Sequence, residues 1–145
     1  MASRRRFQFR LATVFVIVTI VACVLAFGPR VRAYWNVRSL SNADVKVDGN
    51  FLGLVVQLDN PAANALRKQG PSANPVLLEA LGNKDKFAAA HVLLSQINDV
   101  PGTYSASDWN GMRVTLFADG RVDFHPEQAK QLAADWQSRL YPQRR

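Results

Sequence analysis

Two histidines, His91 and His125, a single cysteine, Cys23, and eleven scattered carboxylates are the side chains of this 145-residue chain with chemistry to offer. Acid–base catalysis needs one such group held against a second polar group and a reacting atom. Ser95 follows His91 by one helical turn, so a hydroxyl and an imidazole would share a helix face. A serine triad also needs a third, orienting carboxylate, and the spacing indicates none. His91 lies four residues after Phe87 and three before Leu94, at the edge of an apolar stripe. The competing reading is therefore a partly buried imidazole bonding a backbone carbonyl. His125 precedes Pro126 and reads as a strand end or a helix cap. The carboxylates stand singly, and Asp119-Gly120 has turn chemistry. No glycine-rich phosphate loop leads from a strand into a helix, and no histidine–carboxylate cluster has metal-ligand spacing. No catalytic, cofactor or metal residue is assigned on these grounds. An enzyme of hydrolase type using His91 or His125 with a nearby carboxylate stands as the alternative.

The element that must position everything else is the apolar run Leu11–Phe27, LATVFVIVTIVACVLAF. It is too long for an ordinary strand. As a helix it rises about 25 Å, at the short end of what crosses a bilayer core. Arg4, Arg5, Arg6 and Arg10 precede it, and Arg30, Arg32, Arg38 and Lys46 follow. The tighter N-terminal cluster predicts a cytoplasmic N-terminus and an extracytoplasmic domain. Three attachments compete. An uncleaved signal anchor fits the length of the run. A cleaved signal peptide has candidate spacing at Val24 and Ala26, but its apolar core would exceed the usual length. Ile20-Val21-Ala22-Cys23 resembles a bacterial lipobox, which implies lipidation at Cys23. The apolar residues after Cys23 favour the anchor, and a buried core helix is the reading least suited to a run that is apolar all round.

Residues 1–33 carry six arginines and no acid, whereas the remaining residues carry 12 basic against 11 acidic side chains. The net charge of +7 therefore belongs to the flanks of the apolar run. A near-neutral domain lacks the basic stripe that nucleic acid needs. The expected partners are the lipid bilayer, through residues 11–27, and a protein, with no nucleic acid and no cofactor. Cysteine is absent from the rest of the chain, so disulfides and thiolate metal sites are excluded there.

The expected fold class is α+β. Residues 1–10 form a basic tail, 11–29 the anchor with a natural stop at Gly28-Pro29 beyond which Arg30 to Leu40 could carry some helix, 30–43 a juxtamembrane linker, and 44–145 one small domain. Tyr34 and Trp35 suit either the headgroup zone or packing on the domain. Residues 44–58 read as strand, turn at Asp48-Gly49-Asn50, and strand from Phe51 to Leu58. Asn60-Pro61 and Asn74-Pro75 read as helix starts, with Gly70 and Gly82 as left-handed stops. Phe87, Ala90, Leu94 and Ile97 recur at helical spacing over about 85–97. Asn110-Gly111 marks a hairpin, with a third strand over Tyr104–Trp109. For the next hairpin, only a three-residue loop with left-handed Gly120 puts Met112, Val114, Leu116, Val122 and Phe124 on one face, leaving Phe117 outward. Ala129, Leu132, Ala133, Trp136 and Leu140 form the stripe of a terminal amphipathic helix, ended by Pro142 before a frayed Gln143-Arg144-Arg145.

GPSANPVLLEALGNKDKFAAAHVLLSQI resembles a HEAT repeat unit: Pro75, Leu77, Leu78 and Leu81 match its first helix, Ala89, Ala90, Leu93 and Leu94 its second. With Asn60–Gly70 as a trailing helix, the likeness covers about residues 60–97. It implies a helical hairpin packed on the meander rather than a solenoid, which needs about three units. RRRFQFR before the apolar run and NGMRVTLFADGRVDF after it resemble small bacterial envelope proteins, a likeness that carries no activity. The reading that follows is a membrane-anchored, non-catalytic domain acting by protein contact in the envelope. Aromatic side chains in or near the meander, Tyr104, Trp109 and Phe117, are its candidate partner surface. The competing expectation is that Trp109 packs on Met112 as core.

Overall fold

A computed structural model describes residues 2–50, 53–100, 102 and 104–142. The longest element is α1, Ala2–Arg38, a helix of 37 residues. Between Val14 and Phe27 its large apolar side chains are 51–72% exposed. Among the described residues it is the one helix long and apolar enough to cross a membrane. It does not stop at Gly28-Pro29. Pro29 sits inside the helix, where the missing N–H costs one hydrogen bond. Packing carries the helix past it: Ala33, Val37 and Leu40 are 0, 8 and 3% exposed and belong to the core. Residues 30–38 are thus helix docked on the helices Pro61–Gln69 and Asn74–Leu81 rather than a free linker.

The first sheet pairs β1, Val45–Asn50, with β2, Gly53–Leu58, in antiparallel register from Val45↔Leu58 to Asn50↔Gly53. The strand runs through Asp48-Gly49-Asn50, where the sequence suggested a turn. Pairing continues there because Val45 and Val47 face inward opposite Leu58 and Val56, and each further rung extends the ladder. Phe51 and Leu52, between the last paired residues, lie outside the described residues, as do Pro101 and the tail residues 143–145.

Helix α2, Pro61–Gln69, begins and ends as its sequence dictates. Asn60 Oδ1 accepts from the Ala62 amide at 2.7 Å, Pro61 takes the first position, and Gly70 closes the helix at φ +61°. Helix α3, Asn74–Leu81, differs. A 3-10 turn over Gly70–Ala73 leads straight into it, so Asn74 is already helical and caps nothing. Its buried amide instead exchanges hydrogen bonds with Asn98, at 2.9 and 3.2 Å. Gly82 follows α3 at φ −71°, a right-handed value open to any residue. Helix α4, Phe87–Ile97, packs against α2 and α3 and is buried from Phe87 to Ser95 on every face. Its N-terminal amides are capped from outside the helix. Asn42 Oδ1 accepts from Ala88 at 3.0 Å and from Ala89 at 3.4 Å.

The second sheet orders β3, Asp108–Trp109, then β4, Met112–Leu116, then β5, Val122–Phe124. Asn110 and Gly111 adopt φ +53° and +93° between β3 and β4, as a tight hairpin turn requires. The pairs Val114↔Phe124 and Leu116↔Val122 fix the three-residue loop, and Gly120 has φ +82°. The hydrophobic pattern thus set the register. Met112 and Val114 are buried, and Phe117 points out at 44% exposed. Helix α5, Ala129–Leu140, lays Ala129, Leu132 and Trp136 on the core and packs against α3.

Candidate functional site

His91 is fixed by α4, the most buried helix, and its imidazole is 1% exposed. Nε2 lies 2.8 Å from the carbonyl oxygen of Trp109, and Nδ1 accepts from the Trp136 indole N–H at 2.9 Å. An indole nitrogen only donates, so Nδ1 is the bare nitrogen and Nε2 carries the proton given to Trp109. Both ring nitrogens are thereby committed in a neutral imidazole. Burial lowers its pKa to about 4, outweighing the Trp109 carbonyl bond that favours the charged form, with Arg139 lowering and Asp108 raising it further. Ser95 Oγ donates at 3.1 Å to the backbone carbonyl of His91, not to its ring. The residue ties α4 to β3 on one side and to α5 on the other.

His125 stands elsewhere in the bonding network, at the end of β5. Its Nε2 is 3.1 Å from Thr115 Oγ1 and its Nδ1 3.7 Å from Glu127 Oε1. Its side chain does not cap the following 3-10 turn, Pro126–Gln128. The two histidines share no hydrogen-bond partner. Among the described residues, no group of three or more histidine, cysteine or acidic side chains is arranged to hold a metal ion. Cys23 is exposed on α1, within the apolar run.

The three aromatics proposed as a partner surface separate. Trp109 is 0% exposed. Its indole donates to the Ser105 carbonyl at 2.9 Å and meets Tyr104 and Phe124 edge to face at 6.0 and 5.8 Å. It belongs to the core because β3 turns its inward face onto Met112, and it offers a partner nothing. Tyr104 is half-buried over it, and burial raises its phenol pKa. Phe117 alone is exposed, under the Arg121 guanidinium at 5.3 Å. Arg121 also holds the Asp119 carboxylate at 2.6 Å, and that bond keeps the Asp119 pKa low.

Two surface features went unread in the sequence. One is a cleft of about 440 Å³ along the outer face of α1, lined by Phe27, Arg30, Val31, Tyr34, Trp35 and Arg38. Tyr34 O–H donates to Glu79 Oε2 at 2.7 Å and Arg30 reaches Glu79 Oε1 at 3.4 Å, so this stretch is pinned to α3. Trp35 projects outward beside Arg38. The other is a groove of about 550 Å³ with β1 on one wall and β5 with the Asp119–Arg121 turn on the other. Neither histidine lines either feature. The helical spacing of residues 27–38 was a signal for the first. The second joins segments some 75 residues apart and left no signal.

Comparison of the chain with protein-family models, with curated proteins and with solved structures finds no match.

Proposed function

We propose that this protein is a single-pass, membrane-anchored, non-catalytic domain that works by contact with another protein in the cell envelope. In this reading residues 11–27 lie in the bilayer, the N-terminus is cytoplasmic and the domain is extracytoplasmic. The observation that carries it is the continuity of α1. Its apolar stretch is exposed along its length, and the same helix enters the domain core at Ala33 and Val37, with Leu40 just past its end. An exposed apolar surface of this extent is stable in lipid rather than in water. An anchor built into the core also holds the domain in a set orientation at the membrane surface. Tyr34 and Trp35 then sit about two turns beyond the run, where amphipathic rings are favoured. The commitment of His91 to Trp109 and Trp136 supports a structural role for the imidazole best suited to acid–base work. The exposed Phe117–Arg121 pair supports the outer hairpin tip as the contact face.

The test uses the full-length chain in its native membrane. Expected are retention in the membrane through alkaline extraction and an intact N-terminus by mass spectrometry. Labelling of Lys84→Cys by an impermeant maleimide from the extracytoplasmic side is also expected. A photo-crosslinker at Phe117 should give a discrete adduct that the same group at Lys130 does not. A soluble chain, a mature terminus at Cys23 or beyond, or adducts equal at both positions would overturn the reading.

A further inference from the structure

Each of the two sheets leaves one strand edge unpaired on the same groove. In the second sheet the Val114 amide bonds the Ser107 carbonyl on the β3 side, and the Phe117 amide bonds the Arg121 carbonyl on the β5 side. Backbone polar groups alternate sides along a strand. Thr115↔Asp123 is therefore a hydrogen-bonded pair, and Val122 and Phe124 turn their N–H and C=O groups away from β4. The Gln128 side chain confirms the alternation: it takes both backbone groups of Arg113, at 2.7 and 2.6 Å, where β5 has ended. In the first sheet the Val45 amide bonds Asn42 O and not its partner Leu58. By the same alternation Val45 C=O and both groups of Val47 turn away from β2. Among the described residues, no hydrogen bond takes up these groups of Val47, Val122 and Phe124. All of them border the groove between β1 and β5.

The groove floor is the core itself, since Phe124 packs edge to face on Phe87 of α4 at 6.3 Å. Val45, Val47, Val122 and Phe124 face that floor, while Lys46 and Arg121 stand on the solvent side. Arg121 is paired with Asp119, whereas Lys46 makes no ion pair among the described residues. Two rows of amides and carbonyls without a protein partner, bordering one groove, are matched by one chemistry, an extended polypeptide with donors and acceptors on both edges. The volume lies in the range of about 300–1,000 Å³ typical of ligand clefts.

We propose that an extended segment of a partner protein, alternating apolar and acidic side chains, adds as a strand between β1 and β5 and joins the two sheets into one. Its apolar side chains lie on the floor between Val47 and Val122, and an acidic one on the outer face meets Lys46. This rests on the protein-contact reading above and names the chemistry of the partner.

The test uses the full-length protein in nanodiscs and blocked hexapeptides alternating valine with glutamate, threonine or lysine. Saturable binding is expected for the glutamate peptide, with slowed amide exchange at Val47, Val122 and Phe124. Methylating the amides of one peptide edge should weaken it roughly tenfold or more, and Lys46→Glu should transfer the preference to the lysine peptide. Val122→Pro, which removes an outward N–H without breaking a bond to β4 and keeps an apolar side chain on the floor, should weaken binding while leaving the melting temperature of the domain within a few degrees. No saturable binding by any of the three peptides up to about 1 mM overturns strand addition. So does equal binding of the methylated peptide, or protection elsewhere on the domain. A specific Phe117 adduct in membranes together with any of those results would leave the protein-contact reading standing and remove the strand.

Discussion

His91 shows how one side chain can be legible in type and illegible in role. Its place at the edge of an apolar stripe implied burial and a carbonyl partner. The partners themselves, Trp109 and Trp136, are 18 and 45 residues away, beyond the reach of any local pattern. The arrangement has a pH consequence. An unfolded histidine titrates near 6.5 and the folded one at about 4. The unfolded chain therefore binds more protons between these values. The stabilisation is complete above about pH 6.5 and is lost as pH falls through 4, on the order of 3 kcal/mol in all. Denaturant unfolding of the detergent-solubilised chain should show this slope, and His91→Leu should flatten it. Trp136→Ala should cost about 3–5 kcal/mol by leaving a cavity and a bare Nδ1. Trp136→Phe keeps most of the volume and should cost about 1–3 kcal/mol for the lost donor. Denaturation midpoints would rank the two. Trp109 carries the complementary lesson: an aromatic in a meander can be read as surface or as core, and the facing strand decides.

At the scale of elements, turn chemistry is legible where it is local. The Asn60-Pro61 start and the Gly70 stop follow from backbone rules that need no neighbours. The second hairpin followed from counting which register keeps five apolar residues together. Asn74 and Gly82 resemble Asn60 and Gly70 in sequence and behave differently, because a 3-10 turn runs directly into α3. A contrast between glycines tests this. Gly120→Ala places a Cβ at φ +82° and should destabilise by about 1–2 kcal/mol. Gly82→Ala, at φ −71° with its nearest neighbour the Glu79 carbonyl at 3.4 Å, should be neutral or stabilising by about 0.4–1 kcal/mol. The cap of α4 arrives from Asn42, across 46 residues, and no pattern around Phe87 announces it. Asn42→Ala should cost about 1 kcal/mol and speed amide exchange at Ala88 and Ala89, measurable by hydrogen exchange.

For the molecule as a whole, the decisive feature is that the apolar run and the domain share one helix. Pro29 would end a solvated helix, and here three buried side chains beyond it offset the lost hydrogen bond. A flexible glycine–serine insertion between Phe27 and Gly28 should therefore leave domain stability unchanged. The same insertion between Val37 and Arg38 should displace Leu40 and Asn42 together and lower the melting temperature markedly. Thermal unfolding of the two variants in one detergent checks the difference. The shared helix also fixes the apolar run relative to the domain that carries the β1–β5 groove.

The sequence by itself determined the apolar run, the assignment of excess charge to its flanks, the α+β alternation of elements, and the hairpin register. Each of these is written in composition or in a period of a few residues. Only the tertiary structure decided that α1 continues into the core, that Trp109 is interior, that His91 bridges two tryptophans, and that two sheet edges face one groove. Each of those depends on which distant segments come together, and burial and hydrogen-bond satisfaction between such segments have no local spacing to be read.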